Sequence, residues 1–478
     1  MVMAESSSEQ HRRWLMAGEW SRAEHLDEIE TTLWRSERHP EQSSTIATLL
    51  ILDRSPNWKR LVAAHEWAAD LVPRVRQRIV EPALPTGPPA WSRDPHFRLS
   101  YHLRRQQLGT RNTMTDLFEL VQTLLLSPFD RRRPLWEATL VEGLEGQRAA
   151  YLLKIHHAVA GGAEMARLLS ALHSRTRRHT PNKPVPRATG RAGERDRDPW
   201  HITADGLGEL LRDAPAVAAT LAGTAARAVA NPLRSAAAGQ RYLASLRRVL
   251  SPGDVGTPSP LLRHRDGRLW LLRSLECPLS DLRRAARSAG GSVNDAYLAG
   301  LLGGIRRYHE HHGVRLDELP ITVPVSLRRA EDPLGGNPYA GAVIPAPVGT
   351  TDPAERIAAI RGLLLQATNE PAMDTFSLMA PLVNRVPSTV GAVAVRVGPR
   401  TDLAASNVPG VTETVYLAGA RIDRIIPFGP LPGVAIMAVM TSYQDTCSIG
   451  LTIDAAAVDD VDVLIGAFQE GFAEVTAG

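Results

Sequence analysis

AAYLLKIHHAVAGGAEMARLL, residues 149–169, is an apolar run that carries two adjacent histidines into a small-residue turn and then resumes with helix spacing. Ala149–His156 reads as a strand, because a short apolar run bounded by a turn fits a buried strand. Neighbouring side chains on a strand point to opposite faces. If His157 looks into a cleft, His156 looks back toward the sheet, and at most one of them acts as a base on a given substrate. A histidine with a pKa of about 6.5 is mostly neutral at pH 7 and can accept a hydroxyl proton. A satisfied structural pair would have the same spelling, so this stretch alone leaves both readings open.

Helix and strand patterns alternate outward from this unit. Thr45–Leu52 (TIATLLIL) reads as a buried strand, WKRLVAAHEWAADL as a helix ended by Pro73, Met114–Leu126 as an amphipathic helix and Trp136–Leu140 as a strand. Downstream, RLWLLRSLECPL, LPITVPVSLR, YAGAVIPAPV, TVYLAGARIDRIIPF, GVAIMAVMTSY and CSIGLTID read as strands. Ser292 opens a long helix in a capping box with Asp295, Gly313 closes it, and a last helix starts at Val461. The expected class is mixed α/β. Between the two blocks, residues 174–200 are rich in Arg, Pro and Gly and read as a linker, while residues 205–250 look helical, with Arg212, Arg227, Arg234, Arg241, Arg247 and Arg248 among small apolar residues. That helical stretch reads as a connector with solvated arginines, the alternative being a basic helix lying on an anionic membrane. The predicted division is residues 1–173, a crossover over 174–257, and residues 258–478.

Composition narrows the function classes. The 478 residues are 44% hydrophobic and 22% charged, which fits a globular protein rather than a disordered one, and a net charge of +4 is too weak to mark a nucleic-acid binder. Cys277 and Cys447 are far apart in sequence and lack C-x-x-C spacing, so neither a disulfide framework nor a cysteine zinc site is expected. The cluster His309, Glu310, His311, His312 lacks HExxH spacing and reads as a solvated helix end. No secretory h-region opens the chain and no run of 18 uncharged apolar residues follows, so a cytoplasmic protein is expected, with peripheral contact to a membrane or lipid droplet as the open point.

Four further stretches accompany the histidine pair: LVPRVRQRIVEP (71–82), SPFDRRRPLWEATLVEGLEG (127–146), GGSVNDAYLAG (290–300) and SNVPG (406–410) followed by YLAGARI. In this order and spacing the five together resemble the bacterial wax ester synthase / acyl-CoA:diacylglycerol acyltransferase family, from about residue 26 to the C-terminus. The resemblance implies two chloramphenicol-acetyltransferase-like domains around a central tunnel. It implies an O-acyltransferase that moves a fatty acyl group from acyl-CoA to a long-chain alcohol or diacylglycerol. Acyl-CoA would be a co-substrate, with no permanently bound cofactor and no metal.

In the family's HHxxxDG motif the second histidine, here His157, is taken as the general base, and His156 stands beside it as the other catalytic candidate. The sequence departs from the motif at the aspartate, which is Gly161 here, while the motif glycine is retained as Gly162. In this superfamily the aspartate is regarded as holding the turn, so either another group such as Glu164 anchors it or the constraint on catalysis is relaxed. Pro134, Leu135 and Trp136 match the family's PLW segment and are expected to pack beside the histidine turn. Asn294 and Asp295 match its ND motif, the aspartate explained as a helix cap and the asparagine as a substrate or wall residue. Ser406 and Asn407 would border the tunnel, where a donor could stabilise an oxyanion. Arg328 is a candidate for the phosphates of coenzyme A, or equally for an ion pair. Two alternatives share these residues: transfer to a hydroxyl or amine of a specialised metabolite, with a carrier protein as the possible donor, and a non-catalytic acyl-lipid binder suggested by Gly161.

Overall fold

A computed structural model describes residues 21, 23–37, 43–109, 111–178, 196–212, 215, 258–265, 267–326, 339–368, 401–431 and 433–477. Most of the expected linker and of the helical stretch after it, and Arg328, lie outside these residues. The strands are β1 (Thr45–Leu52), β2 (Gln77–Val80), β3 (Ala90–Arg93), β4 (Leu103–Gln107), β5 (Trp136–Leu144), β6 (Arg148–His156), β7 (His173–Ser174) and β8 (Trp270–Pro278). The second half adds β9 (Leu319–Ser326), β10 (Tyr339–Ala346), β11 (Leu403–Val411), β12 (Tyr416–Leu417), β13 (Ala420–Phe428), β14 (Ile436–Tyr443) and β15 (Thr446–Asp454). The longer helices are α1 (Glu28–Ser36), α2 (Trp58–Leu71), α3 (Met114–Leu126), α4 (Gly162–Leu172), α5 (Leu279–Ser288), α6 (Val293–His311), α7 (Pro353–Thr368) and α8 (Val461–Ala477). The class is mixed α/β, as the alternation of patterns predicted.

The first sheet has the order β4-β5-β6-β1-β13-β12-β7 and the second β10-β9-β11-β14-β15-β8. At the middle of the first sheet lies β1, antiparallel to β6 on one side, with Thr45 opposite His156, and to β13 on the other, with Ala47 opposite Phe428. Its apolar run is continuous because both faces are covered. Leu50 and Leu52 join a core that includes Trp34 of α1, Leu61 of α2 and Leu168 of α4, whereas Leu49 and Ile51 join a core that includes Leu272 of β8 and Ala404 of β11. The second sheet packs its other face on α5, α6 and α8. Residues 416–428 therefore leave the second half of the chain and complete the first sheet. The local patterns gave no sign of this exchange, because strand spacing fixes which residues face a core and not which sheet the strand joins.

One local reading changes. His309 is not a solvated residue: it is buried, its Nδ1 lies 2.8 Å from the Ile305 carbonyl, and its Nε2 lies 2.6 Å from the Ser259 hydroxyl. The turn after Ser259 covers that end of α6, and Glu310, His311 and His312 of the cluster are exposed. Cys277 and Cys447, distant in sequence, are cross-strand partners on β8 and β15, both buried free thiols. Among the described residues, no group of three or more His, Cys, Asp or Glu side chains is assembled to hold a metal ion, and no helix is long and apolar enough to cross a membrane.

Candidate active site

The turn that follows β6 is built around His156. Its backbone N–H donates to the Leu135 carbonyl at 3.0 Å, and its own carbonyl accepts from Val159 N at 2.8 Å and from Ala160 N at 3.4 Å. Its ring Nδ1 accepts from Ala158 N at 3.0 Å. Three successive backbone N–H groups thus converge on one residue. A neutral imidazole that accepts at Nδ1 carries its proton on Nε2, and Nε2 lies 2.8 Å from Glu37 Oε2. The ring has no solvent exposure and packs against Trp34 and Phe129, with centroids 6.0 and 6.4 Å away. His156 does not reach the cavity, so of the two catalytic candidates it is the one placed to support the other.

His157, one residue on, faces a cavity of about 120 Å³. Its backbone N–H donates to Ser44 O at 2.8 Å, which ties the turn to the start of β1. Burial drives its pKa down to about 4, a hydrogen bond to its own backbone carbonyl and the Asp27 carboxylate oppose this, and the neighbouring His156 adds to it. The imidazole is therefore neutral at pH 7. A neutral imidazole carries one unprotonated ring nitrogen, which is the group able to accept a proton.

One wall of the cavity is the face of α4 formed by Gly162, Met165, Ala166 and Leu169, which continues to His173 just beyond the helix. These positions follow helical spacing, so the cavity runs along the helix, about 16 Å at 1.5 Å per residue. The opposite wall comes from the second sheet, with Ser406 and Val408 on β11 and Met437, Val439 and Thr441 on β14. The two walls touch at Gly162, where a Cβ would stand 3.0 Å from Val408 Cγ2. Among the lining residues, the polar side chains are Thr48, His157, His173, Ser406 and Thr441, and the remainder are apolar or glycine.

The other sequence candidates fall in different places. Ser406 is on the wall, but Asn407 follows it on the strand, points to the other face and is exposed, so the two do not act as a pair on the cavity. Gly161 is the N-cap of α4 and supplies no side-chain cap. Glu164, the expected substitute anchor, is buried and bonds Arg167 at 3.3 Å, and its Oε2 meets no hydrogen-bond partner, so it does not hold the turn. Pro134 and Leu135 offer backbone: the Pro134 carbonyl accepts from Trp136 N, and the Leu135 carbonyl takes the His156 N–H. Trp136 is buried, donates Nε1–H to the Val75 carbonyl at 2.8 Å and stacks on His102 at 4.7 Å. Asp295 completes the capping box of α6 with Ser292, and Asn294 sits beside it at the helix start, away from the cavity wall. Sequence reasoning missed Glu37, Ser44, His173 and Thr441. Only His173 carried a signal, its helical spacing from Gly162, Met165 and Leu169; the others come from distant segments.

The chain is similar to known proteins along most of its length. The family model for the wax ester synthase/diacylglycerol acyltransferase catalytic domain matches residues 26–297, and that for the family's C-terminal domain matches residues 335–476. A putative diacylglycerol O-acyltransferase of Mycobacterium tuberculosis is 38% identical over 461 residues, covering 95% of this chain and 92% of its own length. Another from the same organism is 28% identical over 473 residues, covering 95% of this chain and 91% of its own. Among solved structures, the wax ester synthase/diacylglycerol acyltransferase of Marinobacter aquaeolei superposes with a TM-score of 0.61 at 19% identity, covering 95% of this chain and 99% of that one. The first condensation domain of the calcium-dependent antibiotic synthetase superposes at 0.59 with 17% identity, covering 96% and 97%, a likeness of fold. With both family domains matched across the chain, the protein belongs to the wax ester synthase/diacylglycerol acyltransferase family and is an acyltransferase.

Proposed function

We propose that this chain transfers a fatty acyl group from acyl-CoA to the hydroxyl of a lipid acceptor, a long-chain alcohol or a diacylglycerol, and that His157 is the general base. The observation that carries this reading is a neutral imidazole on the wall of a largely apolar cavity between the two sheets. The unprotonated ring nitrogen of His157 takes the hydroxyl proton as the acceptor oxygen attacks the thioester carbonyl. The tetrahedral oxyanion collapses, the C–S bond breaks, and the departing thiolate takes the proton back from the imidazolium, leaving ester and free coenzyme A. Ser406, across the cavity, is the candidate donor to the oxyanion. Nothing in this sequence of steps requires a covalent acyl-enzyme.

The apolar lining favours a lipid acceptor over a polar metabolite, which would need convergent hydrogen-bonding groups. Such an acceptor partitions into lipid, so the enzyme would meet it at a membrane or droplet surface from the cytoplasm, working as a peripheral protein. The test is incubation with palmitoyl-CoA and separate panels of long-chain alcohols, diacylglycerols and amines, with free thiol and acylated product both measured. Ester formation with alcohol or diacylglycerol, in step with thiol release and with sequential rather than ping-pong kinetics, is the expected result. Product from amines alone, or thiol without product, overturns the assignment of the acceptor.

A further inference from the structure

Gly161 has no side chain with which to hold the histidine turn, and Glu164 is engaged elsewhere. One carboxylate reaches both backbone supports of His157. Glu37, just after α1, places Oε2 2.8 Å from His156 Nε2 and accepts the Ser44 N–H on Oε1 at 3.1 Å. Ser44 in turn accepts the His157 N–H, and His156 gathers the N–H groups of the next three residues. Glu37 itself is held. Arg131 Nη1 lies 3.9 Å from its Oε2, the same guanidinium stands 3.4 Å over the Trp34 ring, and that ring covers His156.

We propose that Glu37 is the positioning residue of this site: by clamping His156 and Ser44 together it fixes the backbone on both sides of the turn and so aims the His157 imidazole. The inference rests on His157 being the base, but its structural half stands without that reading. Burial alone would push the Glu37 carboxyl up; the His156 contact, the Ser44 N–H and Arg131 outweigh it and keep the group below the usual carboxylate range. It therefore stays ionised across the neutral range, accepting the Ser44 N–H and holding its charge 2.8 Å from His156 Nε2. A misplacement of about 1 Å at a catalytic group can lower a rate on the order of a hundredfold, which sets the scale of what losing the clamp would do.

The experiment uses the full chain with two readouts. Nitrogen-15 NMR follows amide hydrogen exchange at Ser44 and His157, the two backbone N–H groups on which the clamp bears, and steady-state kinetics with palmitoyl-CoA and hexadecanol separates kcat from KM. Wild type is expected to protect both amides. Glu37→Ala should speed exchange at both by roughly tenfold or more and lower kcat by roughly tenfold to a hundredfold with KM little changed, while Glu37→Gln, whose single amide oxygen replaces one of the two carboxylate oxygens, is expected to recover only part of each. If the alanine variant does not fold, Glu37→Asp withdraws the carboxylate by one methylene and is expected to show the same loss in milder form. Wild-type protection of the His157 amide in a folded Glu37→Ala or Glu37→Asp variant overturns the clamp, whatever the rate does. An unchanged kcat in His157→Ala would overturn the base instead and leave the exchange result standing, so the two failures are distinguishable.

Discussion

At His157 the decisive property is charge state. An ordinary histidine is partly protonated at pH 6.5 and loses base capacity there; burial holds this one at about 4. Protonation disables a base, so activity is lost as pH falls through the pKa of the free enzyme's base. The kcat/KM profile is expected to be flat on its acid side down to about pH 5 and to drop about tenfold per unit below pH 4, measured with acyl-CoA as the varied substrate. A limb centred near pH 6.5 would mean that the working base is another, more exposed group. The histidine pair was legible as a candidate because its chemistry and its turn are written in consecutive residues. That only one of the two faces the cavity follows from strand alternation, and the assignment of His156 to support follows from its bonds to Leu135 and Ala158 and its contact with Glu37. Glu37 was not legible: nothing in its neighbours marks a carboxylate that will meet a histidine on another element.

Elements explain why the histidine turn is steady. Trp136, at the start of β5, is stacked between His102 at 4.7 Å and His65 of α2 at 6.2 Å, and β5 pairs with β6. His65 Nδ1 faces the Leu61 carbonyl and must donate, so Nε2 accepts the Tyr151 hydroxyl at 2.7 Å. Burial lowers both imidazoles to about 4 in the folded state. Their unfolded pKa is about 6.5, so the stability tied to the neutral rings is complete above that value and is lost as pH falls from 6.5 to about 4, on the order of 3 kcal/mol for each ring. Urea denaturation from pH 7.5 to 4.5 should show that steep decline, and replacing His65 with Gln should flatten part of it; a midpoint that does not move over this range would contradict the burial argument. At α6, the capping box of Ser292 and Asp295 predicts that Ser292→Ala lowers stability by about 1 kcal/mol, read as a shift in the thermal midpoint. Both elements were readable beforehand, α2 residue for residue and α6 from its cap, because caps and periodicity are local signals. The short β2 and β3 pair was not assigned from the sequence, since four-residue strands carry too little pattern.

For the whole molecule, the important fact is that the cavity belongs to neither half alone. One wall is α4, carried by the first sheet, and the other is β11 with β14, while β13 crosses from the second half to pair with β1. The sheets meet closely at Gly450 of β15, where an added Cβ would fall 1.7 Å from the Pro427 carbonyl oxygen on β13. Gly450→Ala must push the two sheets apart at that point. It should destabilise the protein by about 3 kcal/mol or more and lower activity with it, measured by denaturation and by turnover on one preparation. Wild-type stability in that variant would mean that the junction yields freely. The exchange of residues 416–428 into the first sheet was not legible in the sequence, because long-range pairing leaves no mark in a strand's own alternation.

The account depends most on the proton passing from acceptor hydroxyl to His157. The direct measurement is ester formation from palmitoyl-CoA and hexadecanol by wild type and His157→Ala, with thermal unfolding followed in parallel. The expected result is a fall in kcat of about a hundredfold to ten-thousandfold with the melting temperature retained; ester formation within threefold of wild type in the folded variant would contradict it.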